Sequence, residues 1–236
     1  MTDEIAALEA QLGVMEPPQL KIDTLNTLAW KLRHEQPERA KQLSQEASEL
    51  STLAPFETKP YYQGLADSRR TLGWLCLQEA AYDRALSYLQ EALFFYEETS
   101  NPRYQAEILS VIGQTYYNLG DYAGALEYNL SALRLYQAQD GQGWAGEAQS
   151  LRDIGLVYFI SGDAHRALDY LRQGLLIYRE HHHREGEASI LDRMGTVYRN
   201  LDNYSDALTC GIKSLHLYRQ LYHTSGEAEA LGNLGA

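Results

Sequence analysis

One register runs through most of the chain. Gly73, Gly113, Gly155, Gly195 and Gly235 are separated by 40, 42, 40 and 40 residues. Each has an alanine seven residues before it: Ala66, Ala106, Ala148, Ala188 and Ala228. The first four are followed, twelve residues on, by Ala85, Ala125, Ala167 and Ala207. Self-similarity at a fixed period of this size commits a chain to stacked repeats, because one unit cannot bury its apolar face alone.

Within residues 106 to 136, apolar residues recur at three- and four-residue steps on both sides of Asn118-Leu119-Gly120-Asp121. That pattern predicts a helix, a tight turn and an antiparallel helix. Gly113 and Ala125 are small enough for the two backbones to approach. Gly120 can take the positive φ that ends the first helix, and Asp121 can cap the second. The tyrosines fall into columns of the same register. Tyr116, Tyr158 and Tyr198 follow the marker glycine; Tyr82, Tyr122 and Tyr204 open the second helix; Tyr88, Tyr128 and Tyr170 lie midway along it; and Tyr96, Tyr136, Tyr178 and Tyr218 close it. Thirteen of the 18 tyrosines therefore define the repeat, so the surplus is read as inter-helix packing with hydroxyls at a wet edge.

These small, aromatic and alanine positions, with Ala92 and Ala132 late in the second helix, resemble the tetratricopeptide repeat. The period is longer than that family's usual length of about 34. It is similar to the long variant of kinesin light chains, Leu-Gly-Asn repeat proteins and bacterial Rap-type proteins, a likeness strengthened by Gly-Glu-Ala at Gly146, Gly186 and Gly226. The resemblance implies an all-α, right-handed superhelical α-solenoid. The expected units are an amino-terminal helix and linker at 1-17, a degenerate first pair at 18-54 and full repeats at 62-100, 102-140, 144-182 and 184-222. A truncated first helix follows at 224-236. In the degenerate pair Ala29 stands where glycine would, and Pro37 starts the second helix. Residues 3 to 13 carry Ile5, Leu8 and Leu12 at helical spacing. Gly235 marks a fifth unit without a second helix, so the 236 residues are expected to be part of a longer protein.

By resemblance, the concave wall uses positions six and three before the marker glycine and one, four and five after it. These select Arg70, Trp74, Gln114, Tyr117, Asn118, Arg152, Leu156, Phe159, Arg199 and Asn200 as partner-binding residues. Across the columns three acids, Asp67, Glu107 and Asp192, balance three arginines, and no lysine occurs. The wall thus differs from the clamp that other members use for a terminal carboxylate. Asn118 and Asn200 match an asparagine that holds a peptide backbone in long-repeat relatives, for which an amide offers both donor and acceptor. Capping of the first helix is the alternative. Leu156, Phe159 and Ile160 put an apolar patch on the same wall, read as a binding or self-packing surface, with a later helix of the complete protein filling the groove, or burial in the core, as the alternatives.

The rest of the sequence narrows the function by exclusion. A balance of 20 basic against 32 acidic residues, net -12, leaves no electrostatic footprint for nucleic acid or anionic membrane. No segment approaches the ~18 apolar residues of a membrane helix, and the acidic amino terminus lacks a secretion signal. Cys76 and Cys210 occupy tyrosine columns far apart, which points to buried packing in a reducing cytoplasm. His181-His182-His183 cannot converge on one ion from a continuous helix, because adjacent side chains diverge by about 100°. The run is read as a helix end, its imidazoles favouring the carboxy-terminal dipole. No nucleophile elbow, phosphate loop or zinc helix motif is present. The expectation is a non-catalytic, cofactor-free and metal-free cytoplasmic scaffold that binds a protein or peptide in its concave groove, as the input region of a larger signalling protein. The alternative is an oligomerisation or intramolecular regulatory domain controlling a downstream cyclase, kinase or DNA-binding domain.

Overall fold

The computed structural model describes residues 5–8 and 18–235, which contain helices and turns and no strand. Eleven helices follow in order: α1 Pro18–Leu32, α2 Pro37–Leu50, α3 Tyr62–Gln78, α4 Tyr82–Glu98, α5 Pro102–Asn118, α6 Tyr122–Gln137, α7 Trp144–Ile160, α8 Ala164–Glu180, α9 Arg184–Asn200, α10 Tyr204–Gln220 and α11 Thr224–Leu234. The fold class is thus the all-α solenoid of helix pairs that the register predicts. Of the helix expected within residues 3–13, only 5–8 are described; they are helical, and Ile5 rests against the core of α1 and α2. The remainder of that segment lies outside the described residues. No described helix is long and apolar enough to cross a membrane.

The chain forms two compact units, Met1–Thr115 and Tyr116–Ala236. In the first, α1 packs on α2 and α3, and α3 packs on α4. Ile22, Leu25, Leu28, Ala29 and Leu32 of α1 meet Ala40, Leu43 and Ala47 of α2 in one buried cluster. Ala29 supplies the small side chain where the other repeats have glycine. Asn26 clasps α1 to α3: its amide donates to the Gly64 carbonyl at 2.9 Å and its carbonyl accepts from the Ser68 hydroxyl at 2.9 Å. In the second unit α7 packs on α6 and α8, α9 on α8 and α10, and α10 on α11.

Two packing rules explain the sequence columns. At the helix crossing, a Cβ on Gly73 would come within 2.9 Å of Leu89, and one on Gly155 within 2.9 Å of Leu171. At the junction between repeats, the closing tyrosine of one pair lies over the Gly-Glu-Ala glycine of the next. A Cβ on Gly186 would stand 2.5 Å from the Tyr178 ring, and one on Gly226 2.5 Å from Tyr218. The mid-helix columns stack in pairs, Tyr116 on Tyr128 at 5.3 Å and Tyr158 on Tyr170 at 5.4 Å between centroids. Cys76 and Cys210 are buried and free, filling the same columns with a smaller side chain.

The histidine run is where the sequence reading needs correction. His181 ends α8 and stacks on Trp144 at 4.2 Å, but His183 begins the next helix. Its Nδ1 accepts the Gly186 amide at 3.0 Å, and His223 does the same for Gly226 at 2.9 Å. These imidazoles act as acceptors at helix amino termini, the role ordinarily taken by Ser, Thr, Asp or Asn. Asp121, Asp163 and Asn203 hold that position for α6, α8 and α10.

Candidate functional site

In the first unit the residues expected on the wall lie on α1, α3 and α5, and the group around Arg70 is aromatic and cationic. Arg70 is 13% exposed along its side chain and its guanidinium lies 4.2 Å over Trp30 and 4.8 Å over Tyr104. Asp67 and Glu107 stand at 3.8 and 3.9 Å from it. Trp74 is half-buried, edge-on to Trp30 at 6.5 Å and to His34 at 4.5 Å. Gln114 is exposed on the same unit.

Two acids here, Asp23 and Asp67, are satisfied by hydroxyls. Tyr61 donates to Asp23, 2.9 Å from Oδ1 and 3.2 Å from Oδ2, and burial, opposed by that bond, pushes the Asp23 carboxyl above the usual carboxylate range. Tyr96 donates to Asp67, which also accepts from Gln63 at 3.0 Å. Burial pushes both tyrosine hydroxyls well above their ordinary values, so they remain donors throughout the physiological range.

In the second unit the residues expected on the wall lie at the end of α5 and on α7 and α9, with α11 packed beside them. Arg152 is half-buried and paired with Asp153, Nη2 to Oδ1 at 2.9 Å and Nε to Oδ1 at 3.0 Å. Burial raises the Asp153 carboxyl above its ordinary range while Arg152, and a hydrogen bond from Gln149, pull it back. Leu156 is half-buried, Phe159 half-buried and packed against the α7–α10 core, and Ile160 exposed. Tyr117 is half-buried and meets Tyr122 edge-on at 5.8 Å. Arg199 donates from Nη1 to the Asn233 carbonyl, and Asn233 donates from its amide to Asp192 at 2.8 Å. Asn118 and Asn200 are both exposed, and neither side chain hydrogen-bonds within the chain among the described residues. The helix ends are closed instead by backbone bonds, Asp121 N–H to Tyr116 and Asn203 N–H to Tyr198.

The structure therefore gathers Arg70 and Trp74 into one cluster in the first unit. It gives Arg152, Leu156 and Phe159 neighbouring positions on one helix, α7, of the second. The sequence columns missed Asp23, Trp30, Arg33 and His34 of α1. They occupy the same offsets, counted from Ala29, as the selected residues do from the glycines. They also missed Asp153 and Arg193, two residues before the marker, where Arg193 pairs with Glu229 at 2.7 Å.

Two stretches, residues 104–180 and 188–223, match family models described as tetratricopeptide repeat. No curated protein matches the chain. Among solved structures, BtubC (BKLC) from P. vanneervenii is 18% identical with a TM-score of 0.79, over 94% of this chain and 92% of that one. Nearly identical TPR-like repeats of kinesin light chain type from Podosopora anserina are 14% identical with a TM-score of 0.67, over 89% and 100%. A Rap protein complexed with Competence and Sporulation Factor is 17% identical with a TM-score of 0.68, over 98% and 68%. At these identities the likeness is one of fold.

Proposed function

The chain is a tetratricopeptide-repeat protein, and from that premise we propose that it is a non-catalytic scaffold that captures an extended peptide or a helix of another protein. The observation that carries this reading is the free state of two exposed amides, Asn118 and Asn200, at equivalent ends of first helices. A peptide unit presents one donor and one acceptor, and an amide side chain can answer both. Half-exposed Tyr117, Leu156 and Phe159 offer apolar anchors on the same unit, with Arg152 as a held guanidinium, and Trp74 and Arg70 offer the same chemistry within the first unit. Tryptophan, tyrosine and arginine are the side chains that dominate interface energetics. The Rap neighbour, similar in fold, is complexed with Competence and Sporulation Factor, which supports the reading. Two free buried thiols favour the cytoplasm as its compartment.

The test is selection of peptides from a random displayed library on the immobilised chain, followed by calorimetric titration of the best sequence. Asn118→Ala and Asn200→Ala should each weaken that peptide by about tenfold, the worth of one or two lost hydrogen bonds, with the melting temperature unchanged. Unchanged affinity in both variants would show that capture happens elsewhere.

A further inference from the structure

Five of the described arginines are half-buried: Arg33, Arg69, Arg70, Arg152 and Arg193. Four have carboxylate partners, Glu91 for Arg69, Asp67 and Glu107 for Arg70, Asp153 for Arg152 and Glu229 for Arg193. Arg33 has none among the described residues. Its guanidinium lies 3.9 Å over the Trp30 ring and 5.2 Å from the centre of Trp74, and its hydrogen bond runs from Nη1 to the Trp30 carbonyl. Its Nε is buried without a partner, as is the Nε of Arg70. Arg70 shares the same indole. Burial first, then this second guanidinium, pull Arg33 below the ordinary arginine value. A partly desolvated cation beside a like charge, with no counter-ion, is a costly arrangement unless an anion arrives.

The neighbouring acids do not supply that anion. Asp23 is held by Tyr61, Asp67 by Tyr96 and Gln63, and Glu107 by Arg103 at 3.5 Å and by Arg70. They also set the ligand's charge, since a doubly charged phosphate would be repelled by them and by a chain of net charge -12. A single carboxylate fits. Beside Arg33 the half-exposed Trp30 and Trp74 meet edge-on at 6.5 Å, and half-exposed Leu77 follows one turn after Trp74.

We propose that the α1–α3 wall binds a peptide segment in which a side-chain carboxylate adjoins a bulky apolar residue, the carboxylate received by Arg33 and the apolar group by Trp30 and Trp74. This rests on the peptide-capture reading and specifies the chemistry of one stretch of the ligand. It differs from a terminal-carboxylate clamp in using a guanidinium stacked on an indole and a side chain within the peptide.

The experiment is fluorescence anisotropy with two labelled probes, Gly-Leu-Glu-Trp-Leu-Gly amide and the same sequence with Gln for Glu. The intact chain should bind the Glu probe about tenfold more tightly than the Gln probe, as expected for one charge-assisted hydrogen bond. Added salt should erode part of the difference, because it screens a pair that is only half-buried. Arg33→Gln should abolish the preference, the two probes then binding alike; Arg33→Lys should keep part of it. Equal affinity for the two probes, or a preference that survives in Arg33→Gln, overturns the inference while leaving peptide capture standing. Absence of binding by either probe also overturns it, and peptide capture is then decided separately by the library selection.

Discussion

Asp192 is 2% exposed, accepts one hydrogen bond from Asn233 and leaves Oδ1 without a partner. Burial raises its carboxyl above the ordinary value, with the Asn233 bond and Arg193 acting against the shift. A raised carboxyl binds its proton more tightly folded than unfolded. Its contribution to stability is therefore present at low pH and is lost as pH rises through the raised value. At neutral pH the ionised group is a net cost. Asp192→Asn keeps an acceptor for Asn233 and removes the charge, so it should stabilise the chain at pH 7 by about 1 kcal/mol, the scale of a partly compensated buried polar group. At pH 4 the gain should largely vanish. Thermal unfolding of both proteins at the two pH values decides it, and a gain that does not depend on pH would place the effect in packing instead. The same residue shows a limit of sequence reading, since a carboxylate at a wall offset reads as a ligand contact until its burial is known.

At the scale of the element, the glycines that set the register have unequal jobs. A Cβ on Gly155 would meet Leu171 at 2.9 Å and the Ala167 carbonyl at 3.2 Å, where α7 crosses α8. On Gly195 the nearest atoms are the Ala207 carbonyl at 3.4 Å and Cys210 at 3.6 Å, which is ordinary contact. The difference follows from one substitution in the register, because Gly211 of α10 stands where α8 has Leu171. Gly155→Ala should then lose about 1–3 kcal/mol by overpacking. Gly195→Ala should gain up to about 1 kcal/mol from helix propensity alone. Denaturant melts of the two variants check this, and equal signs would refute the local account. The helix pairs were legible because glycine, alanine and tyrosine mark crossing, junction and stack, each a steric requirement. The α1 residues are not, because Ala29 stands in place of the marker glycine from which the offsets run. The caps at His183 and His223 were hidden because histidine is an uncommon residue at a helix start, and only the Nδ1 geometry reveals it.

Over the whole molecule, stability in stacked repeats is a sum of unit and nearest-neighbour terms, so elements covered on more sides open less often. Within the second unit this can be read from burial. Helix α9 buries Gly186, Ala188, Ile190, Leu191, Asp192, Met194 and Val197 between its neighbours, whereas α11 buries Gly226 and Ala230. The wall side chains of α7 and α9 thus sit on well-covered helices, and a site on rigid elements loses less entropy when a ligand arrives. Native-state hydrogen exchange should find α11 amides exchanging through local openings at least about tenfold faster than those of α9, with α7 and α8 among the slowest of the unit. Helix α10 should be intermediate, because Tyr204, Leu208 and Ile212 leave one of its faces exposed. Peptide added at saturation should slow exchange in α7 and α9 more than in α11, since linkage protects the elements that hold the ligand. Uniform protection from α7 to α11, with or without peptide, would mean that the unit opens as one block and that its wall is not graded by coverage.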